Sequence, residues 1–159
     1  MTSTDAGTAG STEMAELSTI DMALEVVTLP VADVDRAKRF YQSLGWRLDI
    51  DLPVSDDFRQ VQMTPPHSQC SIHFGKGLTA MEPGSLDRLY LAVKDIDAAR
   101  EDLVRRGVDV SEVEERPKPP GFDLPGRSYF AYASFSDPDG NRWLLQEVTT
   151  RLPGREWED

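Results

Sequence analysis

The chain has 159 residues, 28 acidic against 17 basic side chains and a formal net charge of −11. A surface of that charge repels nucleic acid and anionic membranes, and it predicts solubility without naming an activity. A single cysteine, Cys70, excludes an internal disulfide; with no secretory signal and no apolar run of spanning length, the sequence predicts a cytoplasmic protein without a membrane partner.

Internal repetition dominates the pattern. VADVDRAKRFYQSLG, residues 31–45, returns 62 residues later as VKDIDAAREDLVRRG, with Asp33, Asp35, Ala37 and Gly45 echoed by Asp95, Asp97, Ala99 and Gly107. Each copy predicts a strand, an Asp N-cap, an amphipathic helix and a Gly stop. A unit of roughly 55 to 60 residues is marginal alone, so the two copies are expected to fuse their apolar faces.

In chain order, residues 1–20 are small and polar and read as a flexible leader. A single domain follows over 21–150, made of module one (22–75), a Gly-rich linker (76–86) and module two (87–149). Alternation over 22–31 predicts a strand. Asp33 then caps a helix with Val34, Ala37, Phe40, Tyr41 and Leu44 on its buried stripe. Further strands are expected over 46–52, 58–64 and 70–75. Module two repeats the order with a strand at 89–93 and a helix burying Ile96, Ala99, Leu103 and Val104. Strands at 108–113, 129–135 and 142–149 complete it. An insertion over 114–127 has four prolines and two glycines, a composition that excludes sheet and suits a functional loop. Residues 151–159 form a polar tail in which Trp157 is a candidate for docking.

These motifs, together with FSDPDGNRWLLQE at 135–147, resemble the vicinal oxygen chelate superfamily, which includes glyoxalase I, extradiol dioxygenases and fosfomycin- and bleomycin-resistance proteins. The resemblance implies an α+β fold: two tandem βαβββ modules forming a curved mixed sheet around a shared cavity, often within a homodimer. Metal-dependent members carry a His or Gln on the first strand of each module and a Glu on the last. Counting back from the capping aspartates, those first-strand positions are Val26 and Arg88; the last-strand positions fall at Leu144 and near Ile72 or His73. Valine and leucine have no lone pair and arginine is always cationic, so no metal or other cofactor is expected. A one-residue slip would instead gather Glu25, His73 and Gln146, at the cost of turning Val27 and Leu29 away from their helix.

If the apolar set of each strand covers the helices, the opposite set lines the cavity. That set contains Thr28, Gln60, Gln62, Ser71 and His73 from module one, and Arg88, Tyr90, Phe130, Tyr132, Leu144 and Gln146 from module two. His73 is the candidate acid–base residue. Gln62, Arg88, Tyr90, Tyr132 and Gln146 are the candidate binding residues, offering amides, a cation and rings to a small organic molecule. Two readings follow: a metal-independent isomerase, lyase or cyclase working through His73, and a sequestering protein of the drug-resistance kind. A metal-dependent glyoxalase or dioxygenase is disfavoured by Val26, Arg88 and Leu144.

Overall fold

The computed structural model describes residues 15–155 and 157. Most of the predicted leader therefore lies outside the described residues; its last part, from Ala15, has no regular structure and is exposed.

Both helices form where the caps direct. Asp33 Oδ1 accepts the Arg36 amide ahead of α1 (Val34–Ser43), and Asp95 Oδ1 accepts that of Ala98 ahead of α2 (Ile96–Arg105). Gly45 and Gly107 follow at φ of 85° and 87°, the left-handed conformation that ends a helix without Cβ strain. On α1, Ala37 and Tyr41 are completely buried.

Module one supplies β1 (Val26–Thr28), β2 (Arg47–Ser55), β3 (Phe58–Thr64) and β4 (Ser71–Lys76), in the spatial order β1-β4-β3-β2. Module two supplies β5 (Leu89–Val93), β6 (Glu114–Glu115), β7 (Ala131–Ser136) and β8 (Arg142–Glu147), in the matching order β5-β8-β7-β6. The tandem βαβββ repeat is thus present as two four-stranded mixed sheets. In each, the first strand pairs parallel with the last.

Four local expectations change. Val104, expected on the buried stripe of α2, is 47% exposed, and only Ile96 and Leu103 of that helix are buried. The strand predicted over 22–31 shortens to three residues, because pairing with β4 begins at Val26 and Pro30 has no amide to extend it. Residues 108–113 are not a strand. There the Ser111 amide donates to Ser134 O (2.9 Å), but the return bond runs from Ser134 N to the Ser111 hydroxyl, so a side chain interrupts the ladder. The insertion, expected to exclude sheet, begins with β6, whose two residues pair with Tyr132 and Ala131.

One core serves both modules. Val61, Met63, Ile72 and Phe74 from sheet one, and Ala131, Ala133, Phe135, Trp143 and Leu145 from sheet two, join the helix residues in a single cluster. Burial of each larger side chain contributes about 1.5 to 3 kcal/mol, which makes this seam the main source of stability. Aromatic contacts cross it: Tyr41 and Trp46 from module one lie 6.1 and 5.2 Å from Trp143, and Phe40 lies 6.4 Å from Phe135. The Tyr41 hydroxyl donates to Asp137 Oδ2 (2.8 Å) and accepts from Trp143 Nε1 (3.0 Å), while Asn141 Nδ2 donates to Pro30 O (2.9 Å). Gly84 allows the Asp139 carbonyl to approach where an added Cβ would stand 1.9 Å away. Because both sheets turn their helix-covered sides into this core, their outer faces diverge within one chain.

Candidate functional site

The outer face of sheet one is a hydrogen-bonded polar ladder. Strand alternation puts Thr28, Gln60, Gln62 and His73 on it, and cross-strand register brings them together: Thr28 pairs with His73, and His73 with Gln62. His73 Nε2 lies 2.5 Å from Thr28 Oγ1, and its Nδ1 lies 3.2 Å from Gln60 Nε2. An amide nitrogen only donates, so Nδ1 accepts, Nε2 carries the proton and the imidazole is neutral. Partial burial lowers the His73 pKa in the same sense. Among the described residues no carboxylate bonds the ring.

A carboxylate does reach the neighbouring rung. Thr64 Oγ1 is shared between Asp49 and the Ser71 hydroxyl (2.6 Å for the latter), and Arg47 Nε donates to Asp49 Oδ1 at 2.6 Å. Burial works to raise the Asp49 carboxyl, but hydrogen bonds from Thr64 and Arg47, the Arg47 charge and a bond from Gln62 hold it below its ordinary value. Asp49 escaped the sequence reading because it sits in a β-bulge: Leu48 pairs with Met63 and Ile50 with Gln62, so two residues of equal parity lie on opposite faces. The same bulge brings Ile50 and Leu52 to the outer face. Simple alternation contains no sign of it.

Sheet two presents an aromatic outer face. Tyr90, half exposed, pairs with Leu144, and Tyr132 pairs with Gln146. Tyr132 donates its hydroxyl proton to Tyr129 O (2.6 Å), and Gln146 Nε2 lies 3.2 Å from both that carbonyl and the Tyr132 oxygen. These two side chains are therefore fixed before any ligand arrives. Arg88 precedes β5 at an exposed position and makes no ion pair among the described residues. Sheet one thus gathers Gln62 and His73, and sheet two gathers Tyr90, Tyr132 and Gln146; one chain does not bring the two groups together.

The Pro-rich insertion is anchored at both ends. Arg127 bonds Glu147 Oε1 (2.9 Å), Glu115 Oε1 (2.9 Å) and Asp97 Oδ2 (2.7 Å), and bonds to these three carboxylates, Glu147 foremost, raise its pKa further. At the other end Arg116 lies 4.5 Å from the Tyr132 ring centre, and Phe122 meets Phe130 edge to face at 4.7 Å. The insertion thereby lies beside the aromatic face.

Among the described residues no three His, Cys, Asp or Glu side chains come together in a metal-holding group. The positions counted from the capping aspartates behave as strand residues: Val26 pairs with Ser71, and Leu144 lies between Tyr90 and Ser134. Their apolar side chains do not fit a divalent ion. Cys70 is partly buried, and burial, followed by the Glu25 charge, pushes its thiol up, away from nucleophile chemistry. No described helix is long and apolar enough to cross a membrane.

Solved structures share this arrangement. TnmS3, an antibiotic binding protein from Streptomyces sp. CB03234, is 31% identical over 83% of this chain and 99% of its own, with a TM-score of 0.65. A glyoxalase/bleomycin resistance protein from the same organism is 32% identical over 78% and 99%, at a TM-score of 0.61. A member of the superfamily from Sphaerobacter thermophilus DSM 20745 is 28% identical over 80% and 98%, at 0.64. No curated protein sequence matches the chain. The profile of the Glyoxalase/Bleomycin resistance protein/Dioxygenase superfamily matches residues 23–145, from just before β1 into β8, and the chain belongs to that superfamily.

Proposed function

We propose that this protein binds a small, ring-containing organic compound without transforming it, and that a second copy completes the site. The observation that carries this reading is the state of the polar groups. Both His73 ring nitrogens face neutral partners, and the Tyr132 hydroxyl and Gln146 amide are bonded to the Tyr129 carbonyl. Groups fixed in this way orient a ligand; an acid–base pair with a titrating proton is missing from them. The antibiotic binding described for TnmS3 supports the same conclusion. Because the outer faces diverge within a chain, enclosure requires the Gln62–His73 face of one copy against the Tyr90–Tyr132 face of another. The reading needs no metal.

Native mass spectrometry of freshly purified protein, followed by identification of any released compound, tests it. A dimer that retains an organic compound and releases it unchanged is expected. A released product differing from the compound supplied overturns the binding-only reading, a monomer overturns the two-copy site, and one tightly held metal ion per chain overturns the metal-free one.

A further inference from the structure

We infer that the compound is an aromatic anion, with its charge held where the strands of sheet two end and the C-terminal tail docks; this rests on the binding reading above. β5 and β8 are parallel, and β6 and β8 are each antiparallel to β7, so β5, β6 and β8 all finish at one end of the sheet. Lys94 follows β5, Arg116 follows β6 and Arg151 comes shortly after β8. In a chain with 28 acidic and 17 basic side chains, carboxylates are in excess, and Arg36, Arg59 and Arg127 each hold at least one. Among the described residues, the three cations at this end rest on aromatic rings instead. Lys94 Nζ and the Arg151 guanidinium lie 5.1 and 3.9 Å from the Trp157 ring centre, and Arg116 lies 4.5 Å from that of Tyr132.

Trp157 is fixed there by donating to Val148 O (3.0 Å), and the Tyr129 hydroxyl accepts the Leu152 amide (3.1 Å), which ties the tail to the aromatic face. Three of the surrounding acids, Asp97, Glu115 and Glu147, are committed to Arg127. Among the described residues, Glu114 pairs with Tyr132 on this face and is exposed. A cation resting on a ring keeps outward donors free, whereas in an ion pair the carboxylate occupies donors and offsets the charge. The described residues of this end thus set three ring-held cations beside rings that stack a planar ligand.

Calorimetry on the full chain with 2-naphthoate, 2-naphthamide and 2-naphthylmethylamine tests this, since the three share a ring system and differ in charge. Naphthoate should bind about tenfold more tightly than the amide, with the amine weakest, and the preference should shrink at roughly 0.5 M NaCl. Arg116→Gln and Arg151→Gln should each cut the naphthoate preference several-fold, whereas Arg39→Gln, on exposed α1 surface, should not. Equal binding of amide and naphthoate, a preference for the amine, or a preference surviving both substitutions overturns the inference and leaves the binding reading standing. Failure of all three probes to bind at about 1 mM overturns both.

Discussion

Replacing Tyr41 with Phe isolates the hydrogen bonds that fasten module one to module two. The ring, completely buried, keeps its packing against Trp46 and Phe74, so the change removes one oxygen from a filled core. Two partners lose it: among the described residues Trp143 Nε1, on a residue 3% exposed, has no other acceptor, and Asp137 Oδ2 retains only the Asn141 amide. An unsatisfied buried donor costs about 1 to 3 kcal/mol and a bond to a charged group about 1.5 to 3, so a loss of about 3 kcal/mol is expected. For a chain of this length that lowers the unfolding midpoint by about 6 to 12 °C. The pH dependence gives a second readout. Burial, and next the Asp137 charge, raise the Tyr41 pKa well above its ordinary value. Its contribution to stability is complete below about pH 10, where the unfolded chain keeps the same proton, and is lost as pH rises toward the folded value. Urea titrations at neutral and alkaline pH should show Tyr41→Phe less stable at pH 7 and less steeply destabilised above pH 10. A loss under about 1 kcal/mol at pH 7, or an unchanged alkaline slope, would refute the reasoning.

Other substitutions address separate parts of the molecule. Asp51 is bonded by Arg59 and Lys38, which hold its carboxyl far below the ordinary range, so Asp51→Asn should cost about 1 kcal/mol near pH 7. That difference is present above about pH 4 and should disappear on further acidification, as the folded-state carboxyl takes its proton; a constant gap in urea midpoints down to pH 2 would contradict it. Arg127→Met leaves Glu147, only 8% exposed, beside two more carboxylates and should cost about 2 to 3 kcal/mol. Hydrogen exchange should accelerate within residues 114–127, and unchanged protection would show that the insertion is held by other contacts. His73→Ala should weaken retention of the bound compound by less than about tenfold and leave it chemically unchanged, as read by mass spectrometry; loss of a conversion seen with the unaltered protein would restore the catalytic reading.

Sequence alone determined the parts governed by neighbours in the chain. Asp33 and Asp95 cap their helices through amides three residues away, Gly45 and Gly107 end them, and alternation assigns Trp143 to the core and Tyr132 to the opposite side. Face membership of the candidate residues was legible for the same reason, since successive strand side chains point opposite ways. Alternation fails where one strand slips against another, so Asp49, Ile50 and Leu52 stayed hidden until the β2–β3 register was known. Nor does it say which way two sheets face. That was decided by Tyr41, Trp46 and Phe40 packing on Trp143 and Phe135 about a hundred residues away, which sends the outer faces apart. Arg127 with its three carboxylates and Trp157 with its two cations are likewise assembled from distant positions whose spacing carries no pattern. Local hydrogen bonds and periodicity fixed the modules; the side chains meeting across the seam decided how the modules face and what surface they offer a ligand.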